Sequence, residues 1–179
     1  KETLYQNNTV WVCEDENLIL LSGEEPHVRW GAYLECVFTI IEGFNVADVY
    51  FLGSVASAIP HTRQPRVRAS VATEALKDEL EAANVEFTDY SGPSSIITTL
   101  ALEAAEREVP MRSLVVEIPH YPFLDMPTYP KSMLGICLAL NAVLDVEIEL
   151  DTLYDATAQV EQQLDETMQE NAEFEELVR

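Results

Sequence analysis

The chain has 179 residues, of which 32 are Asp or Glu and ten are Lys or Arg, so its formal net charge at pH 7 is −22. A hydrophobic content of 47% excludes an intrinsically disordered acidic chain. The charge argues against nucleic acid or an anionic membrane surface as a partner, because binding to phosphate needs clustered cations. The length fits one globular domain that buries roughly 70% of the surface of the unfolded chain.

The cysteines and the N-terminal residues bear on the cellular compartment. Cys13, Cys36 and Cys137 are odd in number, far apart and each within an apolar run, which predicts reduced core thiols and a cytoplasmic protein. No apolar stretch reaches the roughly eighteen residues of a membrane span, and the first ten residues show no signal-peptide pattern. Because position 1 is Lys rather than Met, we expect an N-terminal piece to be missing.

Strand and helix patterns alternate along the first half of the chain. The runs TVWVCED and NLILLSG, between residues 9 and 23, predict two strands around a polar break, and the second is continuous enough to be central. Residues 30–44 have the length of a helix that ends at Gly43, and residues 47–54 then predict a buried strand. Residues 67–72 predict a further short strand.

The second half continues the alternation. Thr73 is expected to cap a helix over residues 73–84. After it we expect, in chain order, a short strand at 85–90, a helix at 96–109, a buried strand at 112–119, a proline-rich loop at 119–130 and an apolar helix at 132–144. Short strands that alternate with helices predict a layered α/β fold with a largely parallel sheet.

The composition changes after this α/β part, which we expect to form a single domain over residues 1–150. Residues 145–179 contain twelve acidic residues and one basic residue, so 151–179 is predicted to be an acidic, solvated helical extension. One face of that helix carries a narrow seam, formed by Leu153, Thr157, Val160, Leu164, Thr167, Asn171 and Phe174. The favoured interpretation is a helix that packs on its own domain or frays at its end; docking on a partner is the alternative.

Every histidine in the chain follows a proline, in the pairs Pro26-His27, Pro60-His61 and Pro119-His120. Each pair comes after a predicted strand. In a parallel sheet the carboxyl ends of the strands share one edge, and ligands bind in the crevice beyond it. The prolines stiffen these loops by fixing φ and by holding the preceding residue in extended geometry.

These loops supply a candidate binding rim. Its members are Glu24, Glu25, Arg29, His61, Arg63, Arg66, His120 and the adjacent Tyr121. Such a rim would bind an anion or the carboxylate of a partner. The structural alternative stays open, because arginines in an acidic protein commonly close ion pairs and a histidine after a proline often bonds a backbone carbonyl.

Motifs for metal, nucleotide or serine chemistry are missing from the sequence. No two histidines have a short ligand spacing such as HxxxH, so we predict no metal. Neither nucleotide-binding glycine motif occurs, so we predict no cofactor. Without a G-x-S-x-G elbow nothing singles out Ser54, Ser94 or Ser95 as a nucleophile. Gly92-Pro93-Ser94-Ser95 opens a helix, where capping is favoured over phosphate binding.

Four stretches of the chain carry a family resemblance. The segments "LLSGEEPHVRW", "FLGSVASAIPHTRQPRV", "LALEAAEREVP" and "VVEIPHYPFLDMPTYPKS", within residues 17–164, resemble the proteasome assembly chaperone 2 family, particularly its actinobacterial branch. The position of His27 is more often acidic in that family, which leaves His61 and His120 as the pair of interest. The resemblance implies a three-layer α/β/α fold of the nucleoside-phosphorylase and hydrolase type, with a largely parallel or mixed sheet.

The same resemblance implies a role. Family members with assigned functions are chaperones of proteasome assembly, and the resemblance implies homo-oligomers, with trimers expected in this branch. Some relatives dock on the proteasome ring through a C-terminal hydrophobic-Tyr-any tail. This chain ends in Leu177-Val178-Arg179, without that tyrosine, so we expect this docking mode only if the true C-terminus lies further on.

Two functional hypotheses of different classes follow. The first is a non-enzymatic, homo-oligomeric interaction module that binds itself and proteasome subunits or another protein assembly. The second is a hydrolase or phosphorylase for a small anionic substrate, with His61 or His120 as acid or base and Arg63 or Arg66 binding the anion. A deep crevice that holds both histidines would favour the enzyme, and an arginine-lined interface would favour the interaction module.

Overall fold

The computed structural model describes residues 8–82, 85–88, 95–121, 128–144 and 146–170. The chain forms two compact units. The first comprises Lys1–Val46 with Ser94–Leu100, and the second comprises Ala47–Pro93 with Ala101–Arg179. The division of the sequence into one domain over 1–150 and an extension over 151–179 stays a prediction.

The first unit contains a β-hairpin. Strands β1 (Thr9–Cys13) and β2 (Leu18–Ser22) pair antiparallel, and Asn17 enters β2 with a φ of 49°, a left-handed conformation that asparagine tolerates. Both strands were predicted, but the central position of β2 was wrong: within the described residues it pairs with β1 alone, in a two-stranded sheet. A continuous apolar run does not by itself distinguish a buried strand from an exposed one, and this run is largely exposed.

Helix α1 (Trp30–Gly43) follows the hairpin in the same unit. It buries Leu34, Val37, Phe38 and Ile41, whose spacing places them on one face of a helix. The helix begins at the predicted residue and ends within one residue of the predicted position. The indole Nε1 of Trp30 donates a 2.7 Å hydrogen bond to the carbonyl of Pro26, which ties the first turn to the preceding loop.

A mixed four-stranded sheet forms the centre of the second unit. Its strands are β3 (Val49–Ser57), β4 (Val67–Val71), β5 (Glu86–Phe87) and β6 (Met111–Pro119), in the order β3-β6-β4-β5. β3 is parallel to β6, β4 is antiparallel to β6, and β5 is parallel to β4. β6 is buried along almost its whole length, as its apolar sequence predicted for an interior strand. The predicted α/β fold is confirmed.

The segment after β4 differs from the predicted single helix. A 3-10 turn (Glu74–Leu76) leads into the short helix α2 (Lys77–Ala82). The hydroxyl of Thr73 makes no capping bond, so that prediction was wrong. Because the first turn is 3-10, it is closed by the amide of Leu76, which donates to the backbone carbonyl of Thr73 at 3.1 Å.

Two further helices accompany the sheet strands. Helix α3 (Ile96–Glu106) begins where predicted, and α4 (Pro130–Leu144) begins two residues earlier than predicted. α4 packs on β6 and β4. The core between them consists of small and aliphatic side chains, with Ala69, Leu80, Val85, Leu114 and Leu140 buried.

The three cysteines are free thiols. The prediction that all of them lie in the core was wrong for Cys13 and Cys36, which are exposed, because an apolar neighbourhood in sequence does not fix the direction of one side chain. Cys137 is half-buried on α4, and burial raises the pKa of its thiol.

Helix α5 (Asp151–Glu170) is the acidic helix that the sequence predicted. Its seam faces inward over the described length, with Thr157 and Leu164 buried and Val160 and Met168 packed against Leu164 and Tyr121. Asn171 and Phe174 of the predicted seam lie outside the described residues. Among the helices of the described residues, none combines the length and the hydropathy needed to cross a membrane.

Candidate functional site

The two proline-histidine turns of the second unit begin side by side. Because β3 and β6 are parallel, Ser57 at the end of β3 lies opposite Pro119 at the end of β6. The amide of His120 donates a 3.2 Å hydrogen bond to the carbonyl of Ser57, which joins the two strand ends. The sheet edge that the sequence predicted for these loops is therefore present.

His61 turns into the protein at this edge, where 3% of its surface remains exposed. The hydroxyl of Tyr121 accepts a 2.8 Å hydrogen bond from the His61 backbone amide and lies 2.9 Å from the ring Nδ1. The other ring nitrogen, Nε2, lies 3.1 Å from Oδ1 of Asp165 on α5. Three side chains from separate parts of the chain thus form one hydrogen-bonded series, here called the Tyr121–His61–Asp165 chain.

One proton assignment satisfies this chain when His61 is neutral and Asp165 is ionised. A carboxylate can only accept, so Nε2 carries the ring hydrogen and donates to Asp165. Nδ1 is then an acceptor, and the Tyr121 hydroxyl donates to it. Burial raises the pKa of Tyr121 above its ordinary value, which keeps the phenol protonated and able to donate at neutral pH.

Lys131, in the first turn of α4, adds a second connection to α5. Its Nζ donates to the backbone carbonyl of His61 at 2.8 Å and to Oε1 of Glu161 at 2.5 Å. Glu161 and Asp165 are four residues apart, so they lie on the same face of α5. The next residue of α4, Ser132, donates to the carbonyl of Glu117 at 2.9 Å, which fixes the start of α4 against β6.

A small cavity of about 20 Å³ lies beside His61, and its walls include Arg63, Lys131, Thr157 and Leu164. This volume is comparable to the 10–15 Å³ that one water molecule requires, whereas small-molecule sites are roughly 300–1,000 Å³. Thr157 Oγ1 is buried here and has no hydrogen-bond partner within the described part of the chain. The site as it stands has room for about one water-sized group.

Arg66 lies apart from the cavity and forms a two-pronged ion pair with Glu117. Its Nε and Nη2 donate to the two carboxylate oxygens at 3.1 and 3.0 Å, and Arg68 approaches the same carboxylate at 4.0 Å. The Arg66 side chain is half exposed, while the carboxylate beneath it is buried. The hydrogen bond to Glu117 raises the pKa of Arg66.

Arg63 is exposed, and among the described residues no carboxylate lies within 4 Å of it. Among the described residues of one chain, a carboxylate therefore pairs with Arg66 and none pairs with Arg63. His120 is exposed, whereas its neighbour Tyr121 is buried. Of the predicted rim, the structure brings His61 and Tyr121 into direct contact.

The remaining predicted site residues belong to the first unit. Glu24, His27 and Arg29 are exposed, and Arg29 precedes α1 in a left-handed conformation with a φ of 61°. Glu25 Oε1 accepts a 3.3 Å hydrogen bond from the amide of Ile96, so it caps the start of α3.

The described serine candidates, Ser54 and Ser95, are not arranged as nucleophiles beside a general base. Ser54 is exposed on β3, and the Ser95 amide donates to Thr98 Oγ1 at 3.4 Å. Gly92, Pro93 and Ser94 lie outside the described residues. No group of His, Cys, Asp or Glu in the described ranges is arranged to hold a metal ion.

Sequence reasoning missed four charged residues of this region: Glu117, Lys131, Glu161 and Asp165. A signal existed for three of them. Glu161 and Asp165 have helical spacing and adjoin the seam residues Val160 and Leu164, and Lys131 follows Tyr129-Pro130 in a motif segment. No such signal existed for Glu117, which looks like any charged residue within a strand. It is buried because Arg66, on the side of the neighbouring strand, pairs with its carboxylate.

The second unit is an α/β unit with a mixed sheet. Its parallel strands β3 and β6 are followed by proline-histidine turns. The chain belongs to the PAC2 family, whose model matches residues 2–168. No protein of curated function matches the sequence.

Solved structures share this fold. A protein of unknown function from Corynebacterium glutamicum is 26% identical with a TM-score of 0.75, over 94% of this chain and 61% of its own length. A PAC2 family protein from Streptomyces avermitilis is 26% identical with a TM-score of 0.79, over 97% and 72%. A proteasome-assembly chaperone homologue from Mycobacterium tuberculosis is 24% identical with a TM-score of 0.78, over 97% and 72%. The chain thus spans less than two thirds of the Corynebacterium protein.

Proposed function

We propose that this protein is a non-enzymatic, homo-oligomeric interaction module of the proteasome-assembly-chaperone type, acting in the cytoplasm. Its partners are further copies of itself, most simply in a trimer, and proteasome subunits or another protein assembly. Membership of the PAC2 family and the likeness in fold to a proteasome-assembly chaperone homologue support this role. One feature of the surface carries the proposal of self-association.

That feature is the apolar surface of the β1–β2 hairpin. Val10, Trp11, Val12, Leu18, Leu20 and Leu21 are each between 38% and 49% exposed. Register partners in an antiparallel pair lie on the same face, so Trp11 with Leu20 forms one exposed apolar face and Val10 with Leu21 the other. Contiguous exposed apolar surface of this kind marks protein-protein contact.

The charge distribution makes the uncharged strands the least repulsive place for a second copy to bind. Every copy carries a formal net charge of −22, so most orientations of two copies bring acidic surfaces together. The strands β1 and β2 contain no charged residue, although the turn between them is acidic. Contact through the strands therefore avoids like-charge repulsion, and interface cores are typically depleted of charge and enriched in aromatic residues such as tryptophan.

The first prediction is that Trp11→Glu with Leu20→Glu lowers the oligomeric state. Two carboxylates on one face of the hairpin would be buried in a contact between acidic copies, which is strongly unfavourable. Light scattering on the purified chain should give about three times the mass of one subunit, and the double variant should give the mass of one.

The control adds the same group to an exposed apolar residue outside the hairpin. Leu102→Glu on α3 changes a side chain that is 64% exposed and should leave the mass unchanged. A wild-type chain that is monomeric at micromolar concentration would refute self-association. Equal loss of mass in the hairpin and control variants would remove the hairpin from the interface.

The enzyme hypothesis is retained as a second candidate because one observation favours it. A carboxylate, an imidazole and a hydroxyl in hydrogen-bonded series are the components of acid-base and nucleophilic catalysis. Lys131 Nζ and the exposed Arg63 would supply positive charge for a small anion. Against it stands the burial of His61 and Tyr121 beside a cavity for about one water-sized group.

The second prediction separates the two functions through Arg63. Titration of the full chain with inorganic phosphate, followed by the NMR signals of the His61 ring, should give no saturable shift if the chain is an interaction module. A saturable shift that Arg63→Ala abolishes, with the oligomeric mass unchanged, would instead support the enzyme. Thr62→Ala, at the exposed neighbouring position, serves as the matched control.

A further inference from the structure

Two carboxylates connect α5 to the rest of the second unit. Glu161 bonds Lys131 of α4, and Asp165 bonds His61 of the turn after β3. The other acidic side chains of α5 that the structure describes are Asp151, Asp155 and Glu166, and none of these has a contact with a cation or donor of another element. Within the described part of the chain, the polar attachment of the helix therefore rests on one pair of residues, one helical turn apart.

α5 packs along α4, and one apolar cluster lies beneath it. Leu164 packs on Tyr121, and Val160 and Met168 adjoin this pair. The packing is incomplete, because the cavity of about 20 Å³ lies under the same face, beside the Thr157 hydroxyl, which has no hydrogen-bond partner among the described residues. Cavities and unsatisfied polar groups weaken the contact that contains them, and regions with few buried apolar contacts open locally at low free energy.

The charge of α5 also works against docking. Residues 151–170 contain six acidic residues and no basic residue, in a chain that is itself strongly acidic. The attractive contacts of Glu161 and Asp165 are therefore opposed by general like-charge repulsion. Removal of these two contacts leaves the packing against α4 and the apolar cluster around Leu164 to hold a helix of 20 residues.

We propose that α5 is a detachable strap, held closed by the contacts Glu161–Lys131 and Asp165–His61. When both contacts are lost, α5 leaves the sheet edge while the strands and α4 stay folded. Its release uncovers His61, Tyr121 and the cavity wall, so the strap controls access to the edge where β3 and β6 end. This inference does not depend on the hairpin or on the oligomeric state.

The third prediction is tested by hydrogen exchange on two double variants of the full chain. Glu161→Ala with Asp165→Ala removes the two contacts, and Asp155→Ala with Glu166→Ala removes the same charge from the same helix without touching another element. Alanine raises helix propensity in both variants, so the difference between them reports the contacts. Exchange in residues 151–170 should accelerate about tenfold or more in the first variant relative to the second, because hydrogen bonds to charged groups are the stronger class.

The location of the acceleration decides the outcome. Amides of residues 59, 61–63, 120 and 121 should accelerate together with α5, while those of β6 up to Val116 keep the wild-type rate; Pro60 and Pro119 have no amide hydrogen. Equal exchange in the two variants would overturn the strap, because the contacts would then not hold the helix. Acceleration of β6 by the same factor would also overturn it, since α5 would then be part of the cooperative core.

Discussion

At the scale of single residues, the hydroxyl of Tyr121 joins the backbone and the side chain of His61. It accepts from the His61 amide and, in the assignment above, donates to Nδ1. Both partners are buried, so water cannot easily replace the hydroxyl if it is lost. The position of the His61 ring, and through it the contact with Asp165, depends on this one group.

The fourth prediction is that Tyr121→Phe destabilises the protein by about 1–3 kcal/mol, the range for leaving a buried donor unsatisfied. Urea unfolding followed by circular dichroism measures the change. Tyr154→Phe is the matched control, because its hydroxyl belongs to an exposed side chain of α5 and should be dispensable. Equal stability of the two variants would show that the His61 amide finds another partner.

The pH dependence of the same variant gives an independent check. Burial raises the pKa of Tyr121 in the folded state, so the folded protein holds the phenol proton more tightly than the unfolded chain does. The associated stability is present below the unfolded value of about 10 and is lost as the pH rises through the folded pKa. Wild type should therefore lose more stability than Tyr121→Phe between pH 9 and pH 11.

At the scale of elements, periodicity and length predicted much of the architecture. β3, β6, α1, α4 and α5 are long and strongly patterned, and each was found close to its predicted range. The adjacency of the turns at His61 and His120 was predicted from the sequence, because parallel strands end at one edge, but the prediction was wrong for His27, which follows a strand of the two-stranded sheet. These features depend on local propensity and on the direction of strands.

The contacts within that edge depend on tertiary structure and were not predictable in the same way. The inward orientation of His61 requires Tyr121 after β6 and Asp165 on α5, which lie 60 and 104 residues along the chain. The ion pair of Arg66 with Glu117 requires the antiparallel pairing of β4 with β6, whereas the sequence favoured a largely parallel sheet. A sequence pattern gives the face of an element but not its partner across the fold.

At the scale of the whole molecule, basic residues are scarce, so the position of each one affects how much of the acidic charge is balanced. The chain has ten basic and 32 acidic residues. Lys131 pairs with Glu161 and Arg66 pairs with Glu117, and each of these ion pairs joins two separate parts of the fold. These ion pairs hold the start of α4 and the pairing of β4 with β6 in place. They do so in a protein whose net negative charge destabilises its own compact state through self-repulsion. The acidic excess is clearest in residues 151–170, which contain six acidic residues and no basic one.

The fifth prediction is that deletion of residues 165–179 leaves the rest of the chain folded. The deletion removes six acidic residues and one basic residue, together with the Asp165–His61 contact, but it keeps Leu164 and the Glu161–Lys131 contact. The loss of like charge partly offsets the loss of the contact. Circular dichroism should show the same sheet signal as the full chain, and light scattering should show an unchanged number of subunits.

Deletion of residues 171–179 alone is the control, because it removes no contact that the structure describes. If the longer deletion abolished folding or assembly while the shorter one did not, the last described turns of α5 would belong to the core, and the interpretation of a peripheral acidic helix would be wrong.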